Sequence, residues 1–496
     1  MNVKRLLVAL ATAITTLTLL SVVVALVRPA PSGLWAYVDV LEPYNLPTWL
    51  AATVLLATVL ACLANAVVAA TRGRFGSRCW VAAGAAAAVA SLCVATGLHT
   101  RIDGLARQAV GSNPLTTDWL VPAVVAGLLL ATPFALLARR LRDGRRLVAA
   151  LVTFGVGALG GELVVRALGD GGRVLAAVAE GVQGLGAAGL LAVVVTALHA
   201  ARGETAVHLV SDLPDAAPRD LPTVPRRARA WVLLLVVTPG LAAMSLLLTL
   251  AVPAPGPKLA QWVGYLDVDG EGNVPTWWSV GLLVTAAAAH LVAGLVGRAT
   301  GARGAAGWLV TAAILAGMSL DDMTSIHERV GDLVRPEGAA AADDPGRNFS
   351  FYWVVPGAAV ALVIAVAVGL LALRLRGRPR WLLVVGLGVL FSFALGLEGV
   401  QGVVLAQGTG GRVAEVLAYH LEELGENLGA LLLLGAATSA LALRRSDDGR
   451  DGGLDVRYAG TGHPEDGDAL FEAEEDEARL AASPTEAIPV VTHRTG

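Results

Sequence analysis

The stretch WLVTAAILAGMSLDDMTSIHERV, residues 308–330, is mainly apolar for its first ten positions and then places Asp321, Asp322, His327 and Glu328 within eight. Apolar runs of this kind, near 20 residues long, recur along most of the 496-residue chain. About 20 such residues at 1.5 Å rise cross the hydrocarbon core of a bilayer. The composition agrees: 55% of residues are hydrophobic, 16% are charged, and the mean hydropathy is +0.65. Continuous runs, with none of the period-two alternation of barrel strands, predict an all-α integral membrane protein.

Twelve spans are expected, at 6–27, 47–70, 79–98, 118–138, 147–167, 174–200, 230–252, 276–297, 307–327, 352–373, 381–403 and 413–443. The arginine-rich connectors TRGRFGSR, ARRLRDGRR, PRRARA, GRATGAR, RLRGRPR and LRRS fall on every second side. The positive-inside rule makes that side cytoplasmic and puts both termini there, in the plasma membrane. The first span is not read as a signal peptide, because it is longer than a usual apolar leader core and has an internal counterpart at 230–252.

Residues 37–49 read YVDVLEPYNLPTW and residues 265–277 read YLDVDGEGNVPTW, with Tyr, Asp, Val, Asn, Pro, Thr and Trp recurring at one offset. The same offset joins Trp80 and His99 to Trp308 and His327. Further on, WLVP at 119–122 meets WVVP at 353–356, and Glu162 meets Glu398. The reading is therefore a six-plus-six tandem duplication with parallel halves: residues 1–225, residues 226–445, and a tail at 446–496. After Arg445 there are 13 acidic and 4 basic residues, so the tail is expected to be acidic, solvated and disordered. In the shared NxPTW motif, Asn and Pro set a turn and start a helix, and Trp suits the membrane interface.

The duplication separates scaffold from chemistry. Opposite Asp321, Asp322 and Glu328 the first half has Cys93, Val94 and Thr100, whereas His99 stands opposite His327. Opposite His420, Glu422 and Glu426 it has Ala177, Ala179 and Gln183. On a helix Asp321, Thr324, Ser325 and Glu328 would form one polar stripe about 10 Å long. In the last span AEVLAYHLEELGEN adds Glu415, His420, Glu422, Glu423 and Glu426, and Glu398 closes the span before it. Each carboxylate in hydrocarbon costs a few kcal/mol, so such a group must share protons, pair with a cation or line a wet cavity.

These residues define three readings. In the first, Asp321, Asp322, His327, Glu328, Glu398, His420 and Glu423 bind a divalent metal, zinc, manganese or iron. Glu422 and Glu426 are then the candidate catalytic bases, acting on a small extracytoplasmic or lipid-like substrate. In the second, the same carboxylates couple proton or cation movement to transport. In the third, the protein is a non-catalytic sensor or assembly factor whose acidic tail binds a protein partner. None of the three involves nucleic acid. The three cysteines, Cys62, Cys79 and Cys93, form no CxxC pair and indicate neither a disulfide scaffold nor a thiolate zinc site.

The combination of NVPTW, SLDDMTSIHE and the EELGE of the last span resembles an uncharacterised family of bacterial multi-pass membrane proteins. That family carries an NxPTW-like loop, an LDExxxxHE-like segment and an acidic last span, so Asp322 stands where its pattern has Glu. The resemblance covers the second half and implies no activity.

Overall fold

A computed structural model describes residues 3–27, 35–42, 44–71, 76–98, 120–168, 172–204, 207–209, 225–252, 256–327, 329–330, 353–401, 411–445 and 454–460. Six long helices come first: α1 (Val3–Val27), α2 (Leu46–Thr71), α3 (Ser77–Thr96), α4 (Leu120–Ala138), α5 (Gly144–Leu168) and α6 (Arg173–Glu204). After the short strand β1 (Val207–Leu209) come α7 (Pro225–Ala251), the short α8 (Pro257–Leu266), α9 (Val274–Ala299) and α10 (Ala305–Thr324). The chain continues through α11 (Val354–Ala372), α12 (Gly377–Phe391), α13 (Arg412–Ser439), β2 (Leu441–Arg445) and β3 (Leu454–Tyr458).

Among the described residues, eight helices are long and apolar enough to cross a membrane: α1, α2, α3, α6, α7, α9, α11 and α12. Several of them turn large apolar side chains outward, such as Leu233, Val236 and Leu247 on α7 and Leu362 and Val363 on α11. In water such surfaces would drive aggregation, whereas against lipid they are matched. α10 and α13 are not among the eight, and they are the helices that carry the carboxylates.

Two apolar cores form, one around Leu55, Trp80, Leu147 and Val194, the other around Leu283, Trp308, Leu383 and Leu433. In the first set α2 packs on α3 and α6, α6 on α1 and α5, and α4 on α3 and α5. In the second set α9 packs on α10 and α13, α13 on α7 and α12, and α11 on α10 and α12. The same scheme of neighbours therefore occurs twice. A small cluster of Leu56, Val280, Val284 and Met323, flanked by Trp49 and Trp277, joins the sets.

The NxPTW motif starts α2 and α9 in the same way. The Asn45 and Asn273 side-chain oxygens accept from the backbone N–H of Thr48 (2.7 Å) and Thr276 (3.1 Å), satisfying helix N-termini that would otherwise be orphaned. Their amides donate back to the carbonyls of Glu42 and Asp267, which fixes the preceding loops. The residue before each Asn is left-handed, Tyr44 at φ 59° and Gly272 at φ 62°. Each tryptophan of the motif donates its indole N–H to a serine of the other set, Trp49 to Ser319 and Trp277 to Ser91.

The stretch expected to be a solvated tail from 446 onward contains a strand. β3 pairs antiparallel with β2 and parallel with β1, making a three-stranded sheet in order β1-β3-β2. Its ordering has a side-chain cause. Tyr458 is buried against Gly297 and its hydroxyl accepts the Trp308 indole N–H at 2.8 Å.

Candidate functional site: a carboxylate cluster in the second helix set

The expected stripe along residues 321–328 is interrupted, because α10 ends at Thr324 and Ser325 adopts a left-handed conformation at φ 48°. The Ser325 N–H bonds the Asp321 carbonyl at 2.7 Å, closing the helix. The chain then folds back on the Asp321 carboxylate. Its Oδ1 accepts the His327 backbone N–H at 2.9 Å, and its Oδ2 lies 3.0 Å from His327 Nδ1. Asp321 is thus the orienting partner of His327, fixing its ring as carboxylates fix imidazoles in acid–base and metal sites. Glu328, the last member of the expected stripe, lies outside the described residues.

From His327 the contacts pass to the neighbouring helices. Its ring packs on Trp353, just before α11, with centroids 4.5 Å apart. The Trp353 indole N–H donates to Glu398 Oε1 at 2.6 Å. Glu398 in turn lies beside Glu422 of α13. Two carboxylates so placed repel one another when both are ionised. On the same helix Glu426 lies within electrostatic range of Asp322, Glu422, Glu398 and Asp321. Glu423 lies within range of Glu426, Asp322, Glu271 and Asp269. Asp322 is hydrogen-bonded to Ser279 of α9 by one oxygen, while its Oδ2 is buried without a hydrogen-bond partner among the described residues.

α12 reaches this site through an irregular turn. Residues Ser392–Leu397 form a π-helical turn directly before Glu398, whereas the first set's counterpart α5 is α-helical throughout. A π-turn re-aims the side chains that follow it and is enriched at functional positions. It is seated by Phe393, whose ring lies where a Cβ on Gly425 of α13 would sit. In the first set a glycine, Gly157, faces α6 at the backbone of Ala179 and Gln183.

The structure therefore brings together Asp321, Asp322, His327, Glu398, Glu422, Glu423 and Glu426. It does not bring in His420. That ring is 4% exposed, and both nitrogens are engaged: Nδ1 on the Val416 carbonyl at 2.7 Å and Nε2 on the Ser245 hydroxyl at 2.9 Å. A carbonyl only accepts, so Nδ1 carries the hydrogen and Nε2 receives the serine O–H. The same Ser245 oxygen accepts the Val268 N–H at 3.0 Å, so His420 ties α13 to α7 and to the loop before α9. Among the described residues, no three His, Cys, Asp or Glu side chains are arranged to hold a metal ion.

Asp269 and Glu271 were not among the expected site residues, yet they act on Glu423. The signal for them lies in the loop before the second NxPTW motif, where DGEGN carries two acids at positions that are Leu41 and Pro43 in the loop before the first. The loop aspartates also differ. Asp39 is fully buried in an ion pair with Arg173 at 2.6 Å, while Asp267 is partly exposed and forms no ion pair among the described residues.

The fold and this site define a multi-pass α-helical membrane protein whose second helix set carries clustered carboxylates. The chain belongs to the family described as a domain of unknown function (DUF8692), whose model matches residues 6–201 and 223–440. No curated protein and no solved structure matches it.

Proposed function

We propose that the protein binds and exchanges protons or cations at the carboxylate cluster, as a cation-coupled membrane transporter built from two parallel six-helix repeats. The observation that carries this is the convergence of Asp322, Glu398, Glu422, Glu423 and Glu426 from three helices, within electrostatic range of one another. Like charges this close are not all ionised together without a counter-cation. Among the described residues, Arg329 lies over the Tyr37 ring and Arg412 donates to the Thr249 carbonyl; Arg335 and Arg347 lie outside them. The repeat reading is supported by the family match in two segments, by the doubled scheme of helix neighbours and by the matching NxPTW caps. With arginine-rich connectors on the cytoplasmic side, the cluster faces outward in the plasma membrane and both termini are inside.

Reconstitution tests this. Purified protein in liposomes carrying a pH dye inside is given an inward proton gradient or an outside pulse of a divalent cation. Wild type is expected to respond and Glu423→Gln with Glu426→Gln to lose the response. Equal traces for wild type and the double variant would remove the proposal.

A second reading, a metal-dependent hydrolase, is favoured by the Asp321–His327 pair, since a carboxylate-oriented imidazole is a usual metal ligand. In that reading Asp321, Asp322, His327, Glu398 and Glu423 hold zinc, manganese or iron when it binds, with Glu422 or Glu426 as base toward a lipid-like or small substrate. Calorimetric titration with each metal, against Asp322→Asn, and the liposome assay together separate the two: stoichiometric metal binding without flux supports the hydrolase, and flux supports the transporter. The acidic tail beyond Gly460 remains a proposed arm for a protein partner.

A further inference from the structure

The cluster sits at one end of the second helix set, and a further ionisable group lies deeper on the same helix face. On α9, Ser279, Leu283, Ala286, His290, Ala293 and Gly297 recur at helical spacing and are all buried. Ser279, at the cluster, holds Asp322. His290, three turns on, is about 16 Å away along the axis at 1.5 Å per residue. Its position corresponds to Cys62 in the first set, so the second set carries an imidazole where the first carries a small thiol.

His290 is 0% exposed. Its Nδ1 lies 2.8 Å from the Ala286 carbonyl and so carries the hydrogen. That leaves Nε2 as a buried acceptor with no hydrogen-bond partner among the described residues. An unsatisfied buried polar atom costs about 1–3 kcal/mol. A fold that only needed to fill this space had an uncharged solution in its own first half.

What closes His290 off from the far end of the helix set is the strand added after α13. The ring of His290 packs on Trp308 with centroids 5.1 Å apart. Trp308 is held by its indole N–H on the Tyr458 hydroxyl. Tyr458 in turn lies over Gly297, where a Cβ would meet its ring at 3.4 Å. Tyr458 is the titratable group that faces the His290–Trp308 pair from β3. Burial pushes its phenol above the ordinary range, so it stays neutral near physiological pH. No charged group among the described residues acts on His290.

We propose that His290 is a second proton-binding site of the protein, in line with the carboxylate cluster on one face of α9, and that Tyr458 is the gate that separates it from the cytoplasm. The ligand is a proton taken up by Nε2 when Trp308 and Tyr458 move aside. This rests on reading the cluster as a proton- and cation-binding site, and it supplies that reading with a station on the opposite side.

The test is deuterium exchange at the imidazole C2 position, read by mass spectrometry on the full chain in nanodiscs across a pH series. In wild type His290 is expected to exchange slowly with a sigmoidal dependence on pH. In Tyr458→Ala its rate is expected to rise about tenfold or more, as for any site whose exposure is limited by local opening. His420, held on both nitrogens, is the internal control and keeps its rate. If Tyr458→Ala loosens the whole bundle and His420 accelerates too, Tyr458→Phe replaces it, removing only the bond to Trp308, and a selective rise at His290 is again required. A flat pH profile at His290, or an unchanged rate in a variant that leaves His420 unchanged, overturns the proposal. Infrared detection of the Glu398–Glu422 proton on the same samples reports the cluster independently, so failure of the gate and failure of the cluster reading are told apart.

Discussion

Trp277 donates its indole N–H to the Ser91 hydroxyl at 3.1 Å, reaching from α9 of the second helix set to α3 of the first. Trp49 makes the mirror contact to Ser319 at 3.4 Å, and both serines in turn donate to a carbonyl of the helix beside them, Ala52 and Val280. The two sets are clamped by one contact used twice. Trp277→Phe keeps the ring and removes only the donor, so it is expected to lower stability by about 1 kcal/mol, the net worth of one hydrogen bond. Trp49→Phe is expected to cost no more, since its bond is longer. Denaturation of the purified variants in detergent measures both, and an unchanged Trp277→Phe midpoint would show that packing alone holds the sets together.

The loop before each NxPTW motif carries an aspartate, and the two are expected to respond differently to mutation. Asp39 is buried against Arg173, so Arg173→Ala strands a charge in a low-dielectric site and is expected to cost about 3–5 kcal/mol. Asp267 is partly exposed with no ion pair among the described residues, and Asp267→Asn is expected to stay within about 0.5 kcal/mol. Thermal unfolding of the two variants side by side checks the contrast.

Helix positions were legible because a lipid-facing helix must be apolar over its whole length, and every expected span has a helix at its place. The acids themselves stand out in the sequence for a related reason, being costly in hydrocarbon and absent at the matched positions of the first half, but their meeting in space was not legible. Nor was local geometry. Whether α10 runs on through His327 depends on Ser325 taking a left-handed turn, which nothing in the residue type demands. The role of His420 depends on Ser245, 175 residues away, and its side-chain chemistry alone fits a ligand as well as a strut. The strand at 454–458 was hidden by its acidic surroundings, since one buried tyrosine decides its docking.

Packing at the π-turn gives a prediction specific to the second set. A Cβ at Gly425 overlaps the Phe393 ring, so Gly425→Ala is expected to destabilise by about 1–3 kcal/mol through overpacking. Adding Phe393→Ala removes the obstacle, and the double variant is expected to recover part of the loss contributed by Gly425→Ala. Additive losses in a double-mutant cycle would mean that the two side chains are not in contact.

The Glu398–Glu422 pair gives the most direct test of the site, because two neighbouring carboxyls are expected to share a proton. Infrared spectroscopy resolves the carbonyl stretch of a protonated carboxyl from that of a carboxylate. Wild type near neutral pH is expected to show such a band shifting on transfer to deuterated buffer, and Glu422→Gln is expected to weaken it. Glu415→Gln is the control, since Glu415 lies exposed in the first turn of α13. Glu398→Gln carries a second consequence: its carboxylate also accepts the Trp353 indole N–H, and the amide oxygen of glutamine can keep that bond. Trp353 fluorescence should therefore hold while the protonated band falls. A band unchanged in both Glu398→Gln and Glu422→Gln would place the proton elsewhere in the cluster and leave Asp322, Glu423 and Glu426 as its holders.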